Sequence, residues 1–133
     1  MKDVPLRPAG SLRILVAEDE PHTRRILVTV FEASGFQIEM VTDGASALEA
    51  VRGDTAFDLI ILDIVMPNAS GLDVLREIRT LPHREGTPVI MLTAKGQDVD
   101  RDEAFALGAD HFLTKPFSPK KLVNQVDEIL ARS

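Results

Sequence analysis

Five polar residues each stand at the end of a short apolar run, and their types together suit phosphoryl chemistry. Glu18 and Asp19 follow Ile14-Leu15-Val16-Ala17, Asp63 follows Leu59-Ile60-Ile61-Leu62, and Thr93 follows Val89-Ile90-Met91-Leu92. Lys115 closes the weaker run His111-Phe112-Leu113-Thr114. Crowded carboxylates repel and raise one another's pKa unless a cation sits among them. A small set of hard oxygen donors suits Mg²⁺ (or Mn²⁺), which keeps several waters and often bridges to phosphate. Phosphoryl transfer needs an acceptor oxygen, a metal on one phosphoryl oxygen, a fixed cation on another and a hydrogen-bond donor on the third. Asp63, a metal held by Asp19, the Lys115 ammonium and the Thr93 hydroxyl supply such a set. A carboxylate acceptor would form an acyl phosphate.

Each residue alone has an ordinary explanation. Acids before a helix are favoured by its dipole, an Asp at a strand end serves a turn, a Thr serves as a cap, and a Lys before a proline is a solvated loop charge. The weight lies in their joint placement at successive strand-to-helix junctions. In an open parallel sheet, ligands bind beyond the carboxyl ends of the strands.

The elements needed to position them follow from the hydrophobic pattern. The apolar runs read as strands buried on both faces, with a second strand over 36–41. Between them lie helical stretches. The first carries the stripe Ile26, Leu27, Val30 and Phe31, opens at Pro21 with Asp19 or Glu20 as cap, and stops at Gly35. A short helix with Ala45, Leu48 and Val51 is entered at Thr42 or Asp43. Ser70 and Asp73 form a capping box for a helix carrying Val74, Leu75 and Ile78. Residues 82–86 read as loop. A fourth helix with Ala104, Phe105 and Leu107 stops at Gly108, and Ser118-Pro119 opens a fifth with Leu122, Val123, Val126, Ile129 and Leu130. Five strand-then-helix units predict an α/β fold with a five-stranded parallel sheet and helices on both faces. The domain is expected over 12–133, preceded by an extended leader over 1–11 with Pro5, Pro8 and Gly10.

Composition excludes several function classes. The 133 residues hold no cysteine, so disulfides, thiolate nucleophiles and cysteine metal sites are absent. A formal charge of −6, from 15 basic and 21 acidic residues, argues against direct nucleic-acid binding and anionic membrane surfaces. No apolar run approaches the roughly 20 residues needed to span a bilayer, and a cytoplasmic location is expected. His22, His83 and His111 lack ligand spacing. Arg24-Arg25 reads as a solvated face with a possible partner role, and the acids Asp98, Asp100, Asp102 and Glu103 as charges at a helix start.

Five motifs in order carry a family resemblance. They are Val16-Ala17-Glu18-Asp19-Glu20-Pro21, Asp58-Leu59-Ile60-Ile61-Leu62-Asp63-Ile64-Val65-Met66-Pro67, Gly71-Leu72-Asp73, Pro88-Val89-Ile90-Met91-Leu92-Thr93-Ala94 and Leu113-Thr114-Lys115-Pro116-Phe117. The chain resembles the receiver domain of two-component response regulators, the CheY-like fold, over about 12–130. The resemblance implies strand order 2-1-3-4-5 and assigns roles. Asp63 matches the phosphoacceptor. Glu18 and Asp19 match the acid pair organising Mg²⁺, with Asp19 a direct ligand and the backbone carbonyl of Val65 a further one. Thr93 matches the switch hydroxyl, Lys115 the invariant cation, and Pro116 a proline whose preceding bond is commonly cis. Gly71 serves the tight loop after the acceptor, and Ala94 is small beside the phosphoryl group. The aromatic switch position falls on Phe112, which lacks the hydroxyl of the tyrosine common there. Val65 and Lys95 flank the site, and with no polar handle at Val65 a slow dephosphorylation is expected.

The resemblance further implies a sensor histidine kinase or histidine phosphotransfer protein as phosphodonor. The output would be a changed contact with a downstream protein target, read from the fourth and fifth units around the acid cluster and last helix. The expected role is a signalling switch that catalyses only its own phosphorylation and dephosphorylation. The expectation is that this one unit nearly fills the 133 residues, with no DNA-binding module among them. A stand-alone regulator and a receiver cut from a longer protein both fit. A docking-only degenerate receiver would lack one member of the acid, acceptor and lysine set, and all are present. A Mg²⁺-dependent phosphohydrolase of the haloacid dehalogenase kind needs a second Asp two residues after the first, where this chain has Val65. A flavodoxin-like cofactor binder needs a hydroxyl- and glycine-rich loop after the first strand, where this chain has Glu18-Asp19-Glu20-Pro21. A Schiff-base enzyme acting through Lys115 lacks an evident apolar pocket.

Overall fold

The computed structural model describes residues 12–94 and 98–131. The expected leader over 1–11, Lys95 and the side chains of Asp98 and Asp100 lie outside the described residues. Strands β1 (Arg13–Ala17), β2 (Gln37–Val41), β3 (Leu59–Asp63), β4 (Val89–Ala94) and β5 (His111–Lys115) alternate with helices α1 (Pro21–Ala33), α2 (Gly44–Arg52), α3 (Gly71–Ile78), α4 (Asp98–Ala106) and α5 (Pro119–Ala131). All strand pairs are parallel, in the order β2-β1-β3-β4-β5.

The continuous apolar runs are explained by cover on both faces. Successive side chains of a strand point to opposite sides. Leu15, Ala17, Ile60, Leu62, Val89 and Met91 therefore enter one core with α2, α3 and α4 residues such as Val51, Val74, Leu75 and Ala104. Ile14, Val16, Leu59, Ile61, Ile90 and Leu92 enter a second core with Leu27 and Phe31 of α1 and Leu122, Val126 and Ile129 of α5. Every residue of β3 is buried, including Asp63 at its end.

Side-chain caps fix where the helices begin, and so fix the loops that border the strand ends. Glu20 caps α1 by accepting from the Thr23 N–H and hydroxyl. Asp43 caps α2 by accepting from the Ser46 N–H at 2.7 Å. Ser70 and Asp73 form the expected capping box of α3. Ser118 Oγ accepts from the Lys121 N–H at 3.1 Å at the start of α5. Gly35 and Gly108 stop the chain after α1 and α4 with φ of +84° and +102°, where a glycine costs least. Arg79, just after α3, donates to the carbonyls of Thr87 at 2.8 Å and Gly108 at 2.6 Å and to Asp110 Oδ2 at 3.2 Å. It thereby joins the ends of α3 and α4 to the start of β4.

Three local expectations change. α2 buries Gly44, Ala47 and Val51 rather than Ala45, because Gly44 lies against Ala69 of the β3–α3 loop. Phe105 stays 46% exposed, while Ala104 takes the core position of α4. Within 82–86, Pro82–Arg84 form a 3-10 turn that buries Arg84. Its guanidinium donates to the carbonyls of Val51 and Gly53 and lies over the Phe57 ring.

Gly71 is the glycine that the site most directly requires. Its N–H donates to the Ile64 carbonyl at 2.8 Å, and a Cβ there would stand 2.2 Å from the Asp63 carbonyl oxygen. That neighbour is backbone at a strand end and has little freedom to give way. Gly71→Ala is expected to lower stability by about 1–3 kcal/mol, the usual cost of overpacking. A shift of the urea unfolding midpoint measures it, and an unchanged midpoint would contradict the close approach.

Candidate functional site

The carboxyl ends of β1, β3, β4 and β5 border a cleft of about 410 Å³ lined by Asp19, Glu20, Pro21, Asp63, Val65, Ala94 and Lys115. Asp63 is only 5% exposed. Its Oδ2 accepts a 2.7 Å hydrogen bond from Lys115 Nζ, and its Oδ1 accepts the Val65 N–H at 3.2 Å. Lys115 Nζ also donates to Glu18 Oε2 at 3.2 Å. Glu18 Oε2 further accepts the Glu20 N–H at 2.9 Å. Each of Glu18, Asp19 and Asp63 brings a carboxylate oxygen within 4.8 Å of the others.

This cluster is short of positive charge. Glu18 is fully buried, and burial pushes its pKa up to about 7, against the lowering effects of the Glu20 N–H and Lys115. Its buried Oε1 has no assigned hydrogen bond and lies 3.0 Å from Lys115 Nζ as an ion pair. Burial works against the Lys115 charge, but hydrogen bonds to Asp63 and Glu18 outweigh it and hold the ammonium pKa above its ordinary value. Three carboxylates thus face one ammonium. Such a set of hard oxygen donors fits a divalent cation.

The remaining expected residues fall around this centre. Thr93 is buried one step beyond Leu92, the register partner of Asp63, and Ala94 pairs with Lys115. Val65 is 60% exposed on the cleft wall, with no second carboxylate at that position. The Lys115–Pro116 bond is cis. Phe112 points inward on β5 and is not part of the cleft lining. Its ring meets Phe105 edge-on at 4.9 Å, and the Arg101 guanidinium stands 5.8 Å from its centroid.

Residues 14–127 match the family model described as "Response regulator receiver domain". The chain belongs to this receiver family. Among curated proteins the receiver is 39% identical to the transcriptional regulatory protein ResD of Bacillus subtilis over 91% of its own length and 49% of the relative's. It is 40% identical to the DNA-binding response regulator MtrA of Mycolicibacterium smegmatis, over 91% of itself and 51% of that protein. The receiver therefore spans about half the length of the curated relatives it matches. Among solved structures, the chemotaxis response regulator CheY4 of Vibrio cholerae superposes with a TM-score of 0.82 at 28% identity, covering 89% of the receiver and 98% of that chain. The receiver domain of a sensor histidine kinase from Pseudomonas aeruginosa, solved with a magnesium ion in its active-site cleft, gives 0.82 at 27% identity over 90% and 98%. Among the described residues, no helix of the receiver is long and apolar enough to cross a membrane.

Sequence reasoning left two contributors to the site without a role in it. Arg24, read as solvated, donates to the Asp19 carbonyl at 2.9 Å and steadies the loop carrying that acid. Glu20, read only as a cap candidate, also lines the cleft. The one available signal for Arg24 was its position one turn into α1, facing back toward the cap.

The raised Glu18 pKa has a definite sign. A carboxyl that titrates near 4.5 when unfolded and near 7 when folded binds more protons in the folded state between those values. Metal-free receiver should lose stability as pH rises through that window. Glu18→Gln should flatten this loss, and added Mg²⁺ should restore stability at neutral pH. Urea unfolding across the window, with and without Mg²⁺, measures all three effects.

Proposed function

We propose that this receiver accepts a phosphoryl group from a phosphohistidine onto Asp63 and uses it to switch protein contacts. The observation that carries the reading is the meeting of Asp63, Lys115, Glu18 and Asp19 at one open cleft. An Asp63 carboxylate oxygen would bond to phosphorus as the phosphorus–nitrogen bond to histidine breaks. With the second ring nitrogen of the phosphohistidine protonated, the bonding pair returns to the ring and leaves a neutral imidazole on the donor and an acyl phosphate on the receiver. Lys115, already bound to Asp63, neutralises part of the added charge without reorganising. The Thr93 hydroxyl, at the end of the neighbouring strand, is the candidate donor to a phosphoryl oxygen. Glu18, Asp19, Asp63 and the Val65 carbonyl are the groups that would hold Mg²⁺. When bound, that ion would screen the carboxylates from the incoming anion and neutralise charge on the phosphoryl oxygens.

The donor would be a sensor histidine kinase or a histidine phosphotransfer protein, and the receiver would work in the cytoplasm on a downstream protein target. Thr93 and Phe112 are the proposed switch pair. The phosphoryl group would bias an existing equilibrium in the fourth and fifth units. Pro116, Ala94 and Gly71 support the site by setting the path of the chain, by leaving room beside the acceptor and by admitting the tight loop after it. The chemistry extends only to the receiver's own phosphorylation and its later hydrolysis.

Intact mass spectrometry with a small phosphodonor and Mg²⁺ should show one added phosphoryl group on wild type and none on Asp63→Asn. Equal labelling of both, or none on wild type, would reject the reading. Omission of Mg²⁺ should suppress the labelling.

Val65 presents an apolar, exposed side chain where a polar one could orient water toward the acyl phosphate. Val65→Asn is expected to speed phosphate loss severalfold, followed as decay of the phosphorylated mass after donor removal.

A further inference from the structure

The loop between β3 and α3 is fastened at its base and at its tip. At the base, the Gly71 N–H donates to the Ile64 carbonyl at 2.8 Å. At the tip, Asn68 Nδ2 donates to Asp43 Oδ2 at 3.1 Å, and the Gly44 N–H donates to the Pro67 carbonyl at 2.9 Å. Gly44 is so close to this loop that a Cβ would stand 2.1 Å from the Ala69 carbonyl oxygen. Asn68 holds a left-handed φ of +73°, which Asn adopts more readily than most residues. Asp43 divides its two oxygens between tasks. Oδ1 caps α2 through the Ser46 N–H, while Oδ2 holds Asn68. The bonds from Ser46 and then Asn68 hold this carboxyl below its ordinary pKa, so it remains an acceptor at neutral pH.

Val65 lies on the stretch between these two fastenings. Its N–H donates to Asp63 Oδ1 at 3.2 Å, which ties Val65 to the acceptor, and the residue lines the cleft. We propose that Asp43 and Asn68 form a latch that presets this loop, and with it the Val65 carbonyl, for a divalent cation. They are positioning residues that touch neither the cation nor the phosphoryl group. Mg²⁺ demands near-ideal octahedral geometry. A carbonyl ligand on an unlatched loop must be ordered as the ion binds, and that ordering weakens affinity. The inference rests on the proposed function, since it assumes a cation beside Asp63.

Calorimetric titration of Mg²⁺ alone into the purified chain tests it. Asn68→Gly keeps the left-handed backbone and removes the contact without changing charge. It should weaken Mg²⁺ binding by about three- to tenfold, the range of one polar contact, while the urea midpoint stays near wild type. Asn68→Asp separates the latch from simple charge attraction. An added carboxylate near a cation site would tighten binding by attraction alone, whereas the latch requires weaker binding, because a carboxylate cannot donate to Asp43 and is repelled by it. In an Asp43→Ser background, which retains a helix cap, Asn68→Gly should have no further effect. Unchanged affinity in Asn68→Gly, tighter binding in Asn68→Asp, or full additivity with Asp43→Ser would each overturn the latch. Asp63→Asn separates the two readings. Wild type showing no Mg²⁺ binding that depends on Asp63 would remove the proposed function and the latch together. Asp63-dependent binding that Asn68→Gly leaves intact would remove the latch alone.

Discussion

The 2.7 Å contact between Lys115 and Asp63 is the constraint around which the cleft is organised. It joins β5 to β3 across β4, and two strand spacings amount to roughly 10 Å. Only a long side chain can close that gap. The register makes the crossing oblique, since Asp63 pairs with Leu92 while Lys115 pairs with Ala94, two residues further along β4. Lys115 must therefore reach back over β4 toward β3. The single methyl of Ala94, beside Lys115 in register, occupies little of the cleft it helps line. Glu18, arriving on the far side of β3 from β1, completes a charged row that no single element could build.

That row stays in place because the strands beneath it cannot slide. Their side chains alternate between two separate cores, so a one-residue slip of β3 would exchange the core assignment of all its residues. The same burial that fixes the strands also dehydrates their last residues. Asp63 and Glu18 lie at the boundary between apolar core and open cleft, and there burial opposes the ionisation of Glu18 while the Glu20 N–H and Lys115 support it. The unmet need for positive charge follows from the architecture, and the cleft is the one side from which it can be met.

Much of this was legible in the sequence because it depends on local pattern. The uninterrupted run 59–62 followed by Asp63 reads directly as a covered strand with an acid at its end. Ser70 and Asp73 announce a capping box by their spacing alone, and Glu20 and Asp43 stand among the expected caps. What could not be read depends on contacts between distant segments. Ala45 and Gly44 are equally plausible inward positions until Ala69, 25 residues beyond Gly44, takes up the space beside it. Arg84 looks like a solvated loop charge, yet the carbonyls at the end of α2 give it buried acceptors. Phe105 fits a core stripe by type, but the small Ala104 is the residue that α4 turns toward the sheet.

The junction made by Arg79 has a mechanical consequence. The guanidinium binds the Gly108 carbonyl just past α4, and a side chain on Gly108 would press against it. Asp110, held by the same arginine, also accepts the Val89 N–H at the base of β4. One end of α4 is thus moored to the floor of the sheet, while its other end follows β4 in the chain. A displacement of α4 begun at that other end would be a tilt about a fulcrum at Gly108, with no sliding of the helix along its axis. For a lever of nine residues, about 13 Å long, a tilt of about 10° would carry the free end roughly 2 Å. The amplitude would vanish toward the fulcrum, so the surface of α4 would change most at its first turn and least at its last.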